Sequence, residues 1–440
     1  MSLKLKAYKA LCYLLYYSGA LALIRARNKQ KVHILTYHRI DPPGKDFGSK
    51  HLENICVPKD LFEKQLKYLR KHYSVIPFWQ YLKACEGKAL LPSYPAILTF
   101  DDGAKDNYRN AFPALQKAGM PATFFVVTDA ARGILPDYYA YYFLWDKLDT
   151  ERMLQAVNKS LGRQYQEMED ARKAFLALPK AERKRVLMEI SNKQDIRYPK
   201  GLCAACFMDW HEIQELHRQG YDVQPHSAGH AWLARMPPEE MRAEIRESKA
   251  AIEQTLDKSC EWFAYPFGWA NSFNLDVIEE LERRGFKAAF LALDGLNDLQ
   301  ADRFTLHRIN AVPNSLPEFA CEVENLRMPL RGLLQRLFDL NKVLFAGAMM
   351  PNAYRRAAWL REKLTTERGV WLDFGCGNGR VQEIAGNERV RFVGFDLNWR
   401  ECLATRERNP DTVQARAEKV PFKEGAFDGA FSSEVLEYVP

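Results

Sequence analysis

Two adjacent carboxylates, Asp101 and Asp102, end the segment Leu98-Thr99-Phe100-Asp101-Asp102-Gly103. Far downstream, His226-Ser227-Ala228-Gly229-His230 supplies two closely spaced imidazoles. One carboxylate with two neutral imidazoles makes an Asp-His-His set that leaves positions open for water and substrate, the layout of a catalytic rather than a structural zinc site. The other aspartate is then free to act as a base. These groups work only if the chain delivers them to one place. Residues 95–100 are apolar and bounded by Pro and Gly, so they read as a buried strand carrying both aspartates at its C-terminal end. Strand ends of that kind are where active sites gather in α/β folds.

Four stretches, in order, resemble the polysaccharide deacetylase family, also called carbohydrate esterase family 4. They are Thr36-Tyr37-His38-Arg39-Ile40, the Thr-Phe-Asp-Asp-Gly element, the His-Ser-x-x-His box, and Phe263-Ala264-Tyr265-Pro266-Phe267-Gly268. The resemblance covers roughly residues 31 to 315. It implies Asp102, His226 and His230 as metal ligands, Asp101 as general base, and a backbone N–H near Phe267 as a second oxyanion donor. The cation it implies is divalent, zinc by ligand type. For the acid that protonates the leaving amine it leaves two candidates open, His307 in Leu306-His307-Arg308-Ile309 and His38 at the end of the first strand. Many members carry an arginine where Ala264 stands, which orients the base; this chain must do without it or use Arg308. The implied activity is N-deacetylation of an N-acetylated sugar of a cell-envelope glycan, or of its lipid- or nucleotide-linked precursor. A catalytically inactive glycan-binding or scaffold protein is the alternative.

A second signal follows residue 325. Residues 326–365 place Leu, Phe, Met and Trp among arginines, consistent with linker helices broken by Pro351. Then Gly369-Val-Trp-Leu-Asp373-Phe-Gly375-Cys-Gly377 reads as a buried strand entering a glycine-rich turn, where backbone can approach a ligand closely. Residues 391–395 form a second apolar strand ending in Asp396, an acid placed to accept bonds from ribose hydroxyls. With Arg416-Ala417-Glu418 and Val435-Leu436-Glu437-Tyr438, residues 366–440 resemble a class I S-adenosylmethionine methyltransferase. The resemblance implies that cofactor, with Asp373, Gly375, Gly377, Asp396 and Glu418 as its contacts. Only four of the family's seven strands can be read, so the Rossmann-like region is expected to be truncated. The fold class expected for the whole chain is therefore α/β, a distorted (β/α)7 barrel followed by this partial domain.

With 440 residues the chain has room for two or three domains, and 63 basic against 56 acidic residues leave a net charge of only +7. No basic cluster alternates with aromatics, so nucleic acid is not an expected partner. The oligomeric state is not legible. Nine cysteines form no regular framework, which favours reduced thiols, and Cys203 and Cys206 read as buried ones. His33, His51, His72, His211 and His217 read as ordinary structural residues. Residues 1–30 read as a basic amphipathic helix. Residues 11–24 are apolar between Lys4, Lys6, Lys9 and Arg25, Arg27, Lys29, a pattern that suits an anionic membrane interface or a helix packed on the barrel. A cytoplasmic location, peripheral on the inner membrane, is expected. Residues 138–205 read as a helical insertion whose aromatic opening, residues 138–145, could wall a glycan groove or fill a core.

Overall fold

The computed structural model describes residues 3–41 and 50–326, together with four strands of the C-terminal region. The chain divides into two compact units, Met1–Gln335 and Arg336–Pro440. The expected linker at 326–365 lies almost wholly outside the described residues.

Seven short parallel strands line the first unit's barrel, with Ser74–Val75 added as a two-residue strand beside the start of the second: β1 His33–Tyr37, β2 Pro95–Phe100, β3 Thr123–Val126, β4 Asp222–Pro225, β5 Trp262–Ala264, β6 Ala288–Phe290 and β7 Ile309–Asn310. The ladder runs β7-β1-β2-β3-β4, with β5 and β6 as a separate pair. A parallel bridge between Phe290 and Leu306 joins β6 to the approach to β7. Every residue of β1, β2 and β3 is buried, as befits parallel strands covered on both faces. β4 and β5 share no ladder. Instead the Gln224 side-chain oxygen accepts bonds from the N–H groups of Glu261 (3.2 Å) and Trp262 (3.5 Å), standing in for a missing strand contact. The barrel is therefore the distorted one expected, and its distortion is this seam.

The helices that matter to the site are α1 Leu3–Tyr17, α2 Leu21–Arg27, α3 Lys59–His72, α4 Asp137–Lys147, α5 Lys180–Lys193, α6 Trp210–Arg218, α7 Pro238–Leu256 and α8 Leu316–Val323. Asp209 caps α6 in a full capping box with Glu212, accepting from the Glu212 N–H at 3.0 Å while the Glu212 carboxylate accepts from the Asp209 N–H at 3.1 Å. The single helix expected over residues 1–30 is two helices, bent by 83° at a break containing Gly19 in left-handed conformation. Tyr8, Cys12, Leu21 and Arg25 are buried. Arg25 bonds Glu324 (2.8 Å) beyond α8 and the Tyr68 hydroxyl (2.6 Å) of α3, so the pair is built into the barrel wall. No single described helix is long and apolar enough to cross a membrane.

The insertion between β3 and β4 is helical, as expected, with five helices between Asp137 and Cys206. Its aromatic opening serves mainly as core: Tyr139, Tyr141, Phe143 and Leu144 are buried with Phe175, Val186 and Ile190. Spacing alone could not separate core from groove, because both place aromatics on successive helical turns. Cys203 and Cys206 are buried thiols, and burial pushes Cys203 up to about 11.

In the second unit, β8 Gly369–Phe374, β9 Val390–Asp396, β10 Val413–Gln414 and β11 Gly429–Ser432 form a parallel sheet in the order β10-β9-β8-β11. The order reverses beside β8, the kind of switch point where doubly wound sheets bind ligands. Asp373 lies on β8, in register with Gly394 and Phe431, and Asp396 ends β9. Gly375, Gly377 and Glu418 lie outside the described residues.

Candidate active site

The Asp101 N–H donates to the Tyr37 carbonyl at 2.9 Å, prolonging the β1–β2 ladder by one step. The backbone then turns sharply, with Asp102 at φ 69° and Gly103 at φ 70°. A Cβ on Gly103 would meet Val126 at 3.2 Å, so the turn needs glycine for space as well as for conformation. Ser227 (φ 61°), His230 (φ 58°) and Phe267 (φ 64°) also occupy the left-handed region. Thus four of the nine described non-glycine residues with positive φ fall within these site loops, and strain of about 1–3 kcal/mol per residue persists only where the surroundings impose it.

These turns bring Asp102, His226 and His230 together. Their potential ligand atoms all lie within 4.8 Å of one another. Asp102 Oδ1 stands 3.3 Å from His230 Nε2 and 3.6 Å from His226 Nε2. Metal–ligand bonds of about 2.0–2.2 Å at tetrahedral angles need ligand atoms roughly 3.3–3.6 Å apart, so the spacing fits a zinc-sized ion. Chemistry agrees with the spacing: Asp102 Oδ1 is buried and faces the Nε2 atoms of both imidazoles. His226 Nδ1 lies 2.8 Å from the Ala264 carbonyl, which holds a proton on Nδ1 and leaves Nε2 as the free donor. Burial pushes His226 down to about 4, keeping the ring neutral. Asp102 is held well below the usual carboxylate range; burial opposes its charge, but the bond and charge of His230 outweigh that, helped by His38 and His226.

Asp101 is held from the other side. Arg308, wholly buried, grips it through two bonds, Nη1 to Oδ1 at 2.7 Å and Nη2 to Oδ2 at 2.6 Å. The guanidinium also donates to the Leu291 carbonyl (2.6 Å) and the Thr99 hydroxyl (3.2 Å). Burial works against the Asp101 carboxylate, but Arg308 more than compensates and its acidity ends up increased. Of the two options left by Ala264, the structure places Arg308 on Asp101.

The two candidate acids separate. His38 Nε2 stands 3.9 Å from Asp101 Oδ2, and its ring is partly open to solvent. His307, one residue before Arg308, is engaged elsewhere. Its Nδ1 lies 3.2 Å from the Leu293 carbonyl, its backbone is paired on both sides with the Asn297 amide, and its ring crowds Gly295. Of the two candidates, the structure sets His38 beside Asp101, while His307 is engaged with Leu293 and Asn297. Phe267 packs edge-on against His230 at 4.7 Å and stacks on Trp269 at 5.1 Å. The following Gly268 passes so close to Ala292 that a Cβ there would lie 2.3 Å from its nitrogen.

Other side chains around the site have no role assigned from the sequence. Tyr138, the second residue of α4, lays its ring 4.3 Å from His230 and brings the insertion to the Asp102-His226-His230 cluster. Arg39 and Asp106, paired at 2.5 Å, tie the chain next to His38 to the loop after β2.

Residues 91–289 match the polysaccharide deacetylase family model, and residues 372–440 match a methyltransferase domain model. Residues 91–289 are a polysaccharide deacetylase domain. Beyond it, the chain is 21% identical over 310 residues to YxkH of Bacillus subtilis (strain 168), provisionally named a polysaccharide deacetylase, covering 70% of this chain and 81% of that one. It is 33% identical over 109 residues to the poly-beta-1,6-N-acetyl-D-glucosamine N-deacetylase of Staphylococcus epidermidis, covering 23% of this chain and 37% of the relative. Among solved structures, the Streptococcus pyogenes deacetylase PplD in complex with acetate is 20% identical and covers 67% of this chain and 99% of that one, with a TM-score of 0.46. The deacetylase domain thus contains Asp101, Asp102, His226 and His230, whereas Arg308 lies beyond the matched residues.

Proposed function

We propose that the deacetylase domain is a metal-dependent N-deacetylase of N-acetylated sugars in a cell-envelope glycan or its lipid- or nucleotide-linked precursor. Asp102, His226 and His230 would hold the divalent cation, zinc by ligand type. Bound there, such an ion lowers the pKa of a coordinated water and polarises the acetamide carbonyl. Asp101, fixed by Arg308, accepts the proton of the attacking water. A backbone N–H at Phe267 supports the oxygen that gains negative charge. His38, open to solvent and facing Asp101, gives a proton to the departing amine, so that acetate and the free amino sugar are released.

The observation that carries this reading is the convergence of an Asp-His-His cluster with a second carboxylate aligned by a buried guanidinium. A glycan-binding or scaffold protein would have no use for that alignment. The test is acetate release from N-acetylglucosamine oligomers by metal-loaded and chelator-treated protein. Release should require metal, fall about 10²-fold or more in His38→Gln, and survive in His307→Gln. Loss in the His307 variant alone would reverse the assignment of the acid, and release unaffected by complete metal removal would end the metal-dependent reading.

For the methyltransferase domain we propose S-adenosylmethionine as cofactor, contacted by Asp373, Gly375, Gly377, Asp396 and Glu418. A cytoplasmic setting, peripheral on the inner membrane, follows from that cofactor and from the N-terminal helices. Tyr13, Leu14, Tyr17 and Leu23 are exposed on their outer side. Residues 1–40 contain no Asp or Glu, while Lys6, Arg27 and Lys29 flank the apolar patch. An apolar face ringed by cations suits an anionic bilayer surface. The protein should co-sediment with phosphatidylglycerol vesicles and not with phosphatidylcholine alone. The double substitution Leu14→Ser, Leu23→Ser should abolish sedimentation; retention by that folded variant would remove the membrane reading.

A further inference from the structure

The loop between the two metal-binding imidazoles is held from outside the barrel. Ser227 and His230 both sit in the left-handed region, so the loop has little intrinsic preference for its shape. The Asp129 N–H donates to the Ala228 carbonyl at 2.8 Å. The Gly229 N–H, immediately before His230, donates to Glu244 Oε2 at 2.7 Å. Glu244 comes from α7 and is 3% exposed. A Cβ at Gly229 would lie 3.2 Å from Glu244 Oε1 and 3.5 Å from Asp129 Oδ2, so two carboxylates close over this one peptide.

Two carboxylates so placed repel each other unless a cation lies between them, and the insertion supplies it. Lys180, at the start of α5, sets its Nζ 3.0 Å from Asp129 Oδ2 and 3.7 Å from Glu244 Oε1. Its backbone N–H donates to Glu240 Oε2 at 3.0 Å, fixing the start of α5 to α7. The insertion is fastened near its opening as well, where Arg183 pairs with Asp137 at 2.9 Å.

We infer that Glu244 is a positioning residue for His230, acting through the Gly229 N–H, and that Lys180 of the insertion holds Glu244 in place. The inference rests on the metal-site reading above. Groups that orient a metal ligand from behind characteristically change affinity about 10–100-fold when removed. A residue that only stabilises the fold changes unfolding and leaves the affinity of the folded protein alone.

The test measures zinc affinity of the purified full chain by competition with a chromophoric chelator, alongside thermal unfolding of the metal-free protein. Glu244→Ala should weaken zinc about tenfold or more. Glu244→Gln keeps an oxygen acceptor for Gly229 and should restore most of that loss. Lys180→Met leaves Asp129 and Glu244 facing each other and should also weaken zinc, with recovery in Lys180→Arg. Wild-type affinity in folded Glu244→Ala overturns the inference, even if its unfolding temperature falls. Should that variant fail to fold, Lys180→Met decides by the same measurement. Wild-type protein that binds no zinc would instead remove the metal-site reading, which distinguishes the two failures.

Discussion

Replacing Asp101 with asparagine is expected to lower acetate release by about 10²–10⁴-fold while the protein still binds its metal. The substitution keeps the shape of the side chain and an oxygen for Arg308, and removes the capacity to take a proton. Asp102, His226 and His230 are untouched, and the neutral amide brings no new bulk against them. The measurement is kcat on an N-acetylglucosamine oligomer together with metal content per chain. A variant that keeps full metal and a kcat within threefold of wild type would show that Asp101 is not the base. One that loses both metal and activity would show instead that Asp101 helps to hold the ion.

Arg308→Met should be the more damaging change to the fold. Arg308 is wholly buried and Asp101 only 1% exposed, so removing the guanidinium strands a carboxylate in the barrel interior. Breaking one side of a buried pair costs about 3–5 kcal/mol, because the remaining charge has no water to turn to. Thr99 and the Leu291 carbonyl lose their bonds as well. Urea unfolding of the metal-free protein should show a loss on that scale, and acetate release should fall as the unopposed burial of Asp101 drives it towards the protonated form. A loss below about 1 kcal/mol with normal activity would mean that the pair contributes neither orientation nor stability, contrary to its geometry.

The site was legible in the sequence where a residue type and its local turn are dictated together. Asp101 and Asp102 follow an apolar strand and precede a glycine that has no room for a side chain; His226 and His230 sit in one short loop. Arg308 was legible only as an option, since its contact with Asp101 crosses the barrel from one strand to another and local spacing does not encode that closure. His307 and His38 could not be ranked from sequence because the facing of one residue in a short strand depends on register, and its neighbour points the opposite way. Glu244 and Lys180 were invisible for a different reason. Each sits in a helix rich in surface charges, and only packing shows which charge has been turned inward. Seven strands could be anticipated from the alternation of apolar runs and helices together with the family resemblance, but not the unpaired β4–β5 joint, whose bridging atom belongs to a side chain.

That joint sits beside the Asp102-His226-His230 cluster. β4 leads directly into His226, and the imidazole reaches across to the Ala264 carbonyl at the end of β5, so one ring of the proposed metal site also clasps two staves that no ladder joins. A cask yields first where its hoops are missing. An ion held between Asp102 and His226 would brace that seam, so cargo and container would tighten each other.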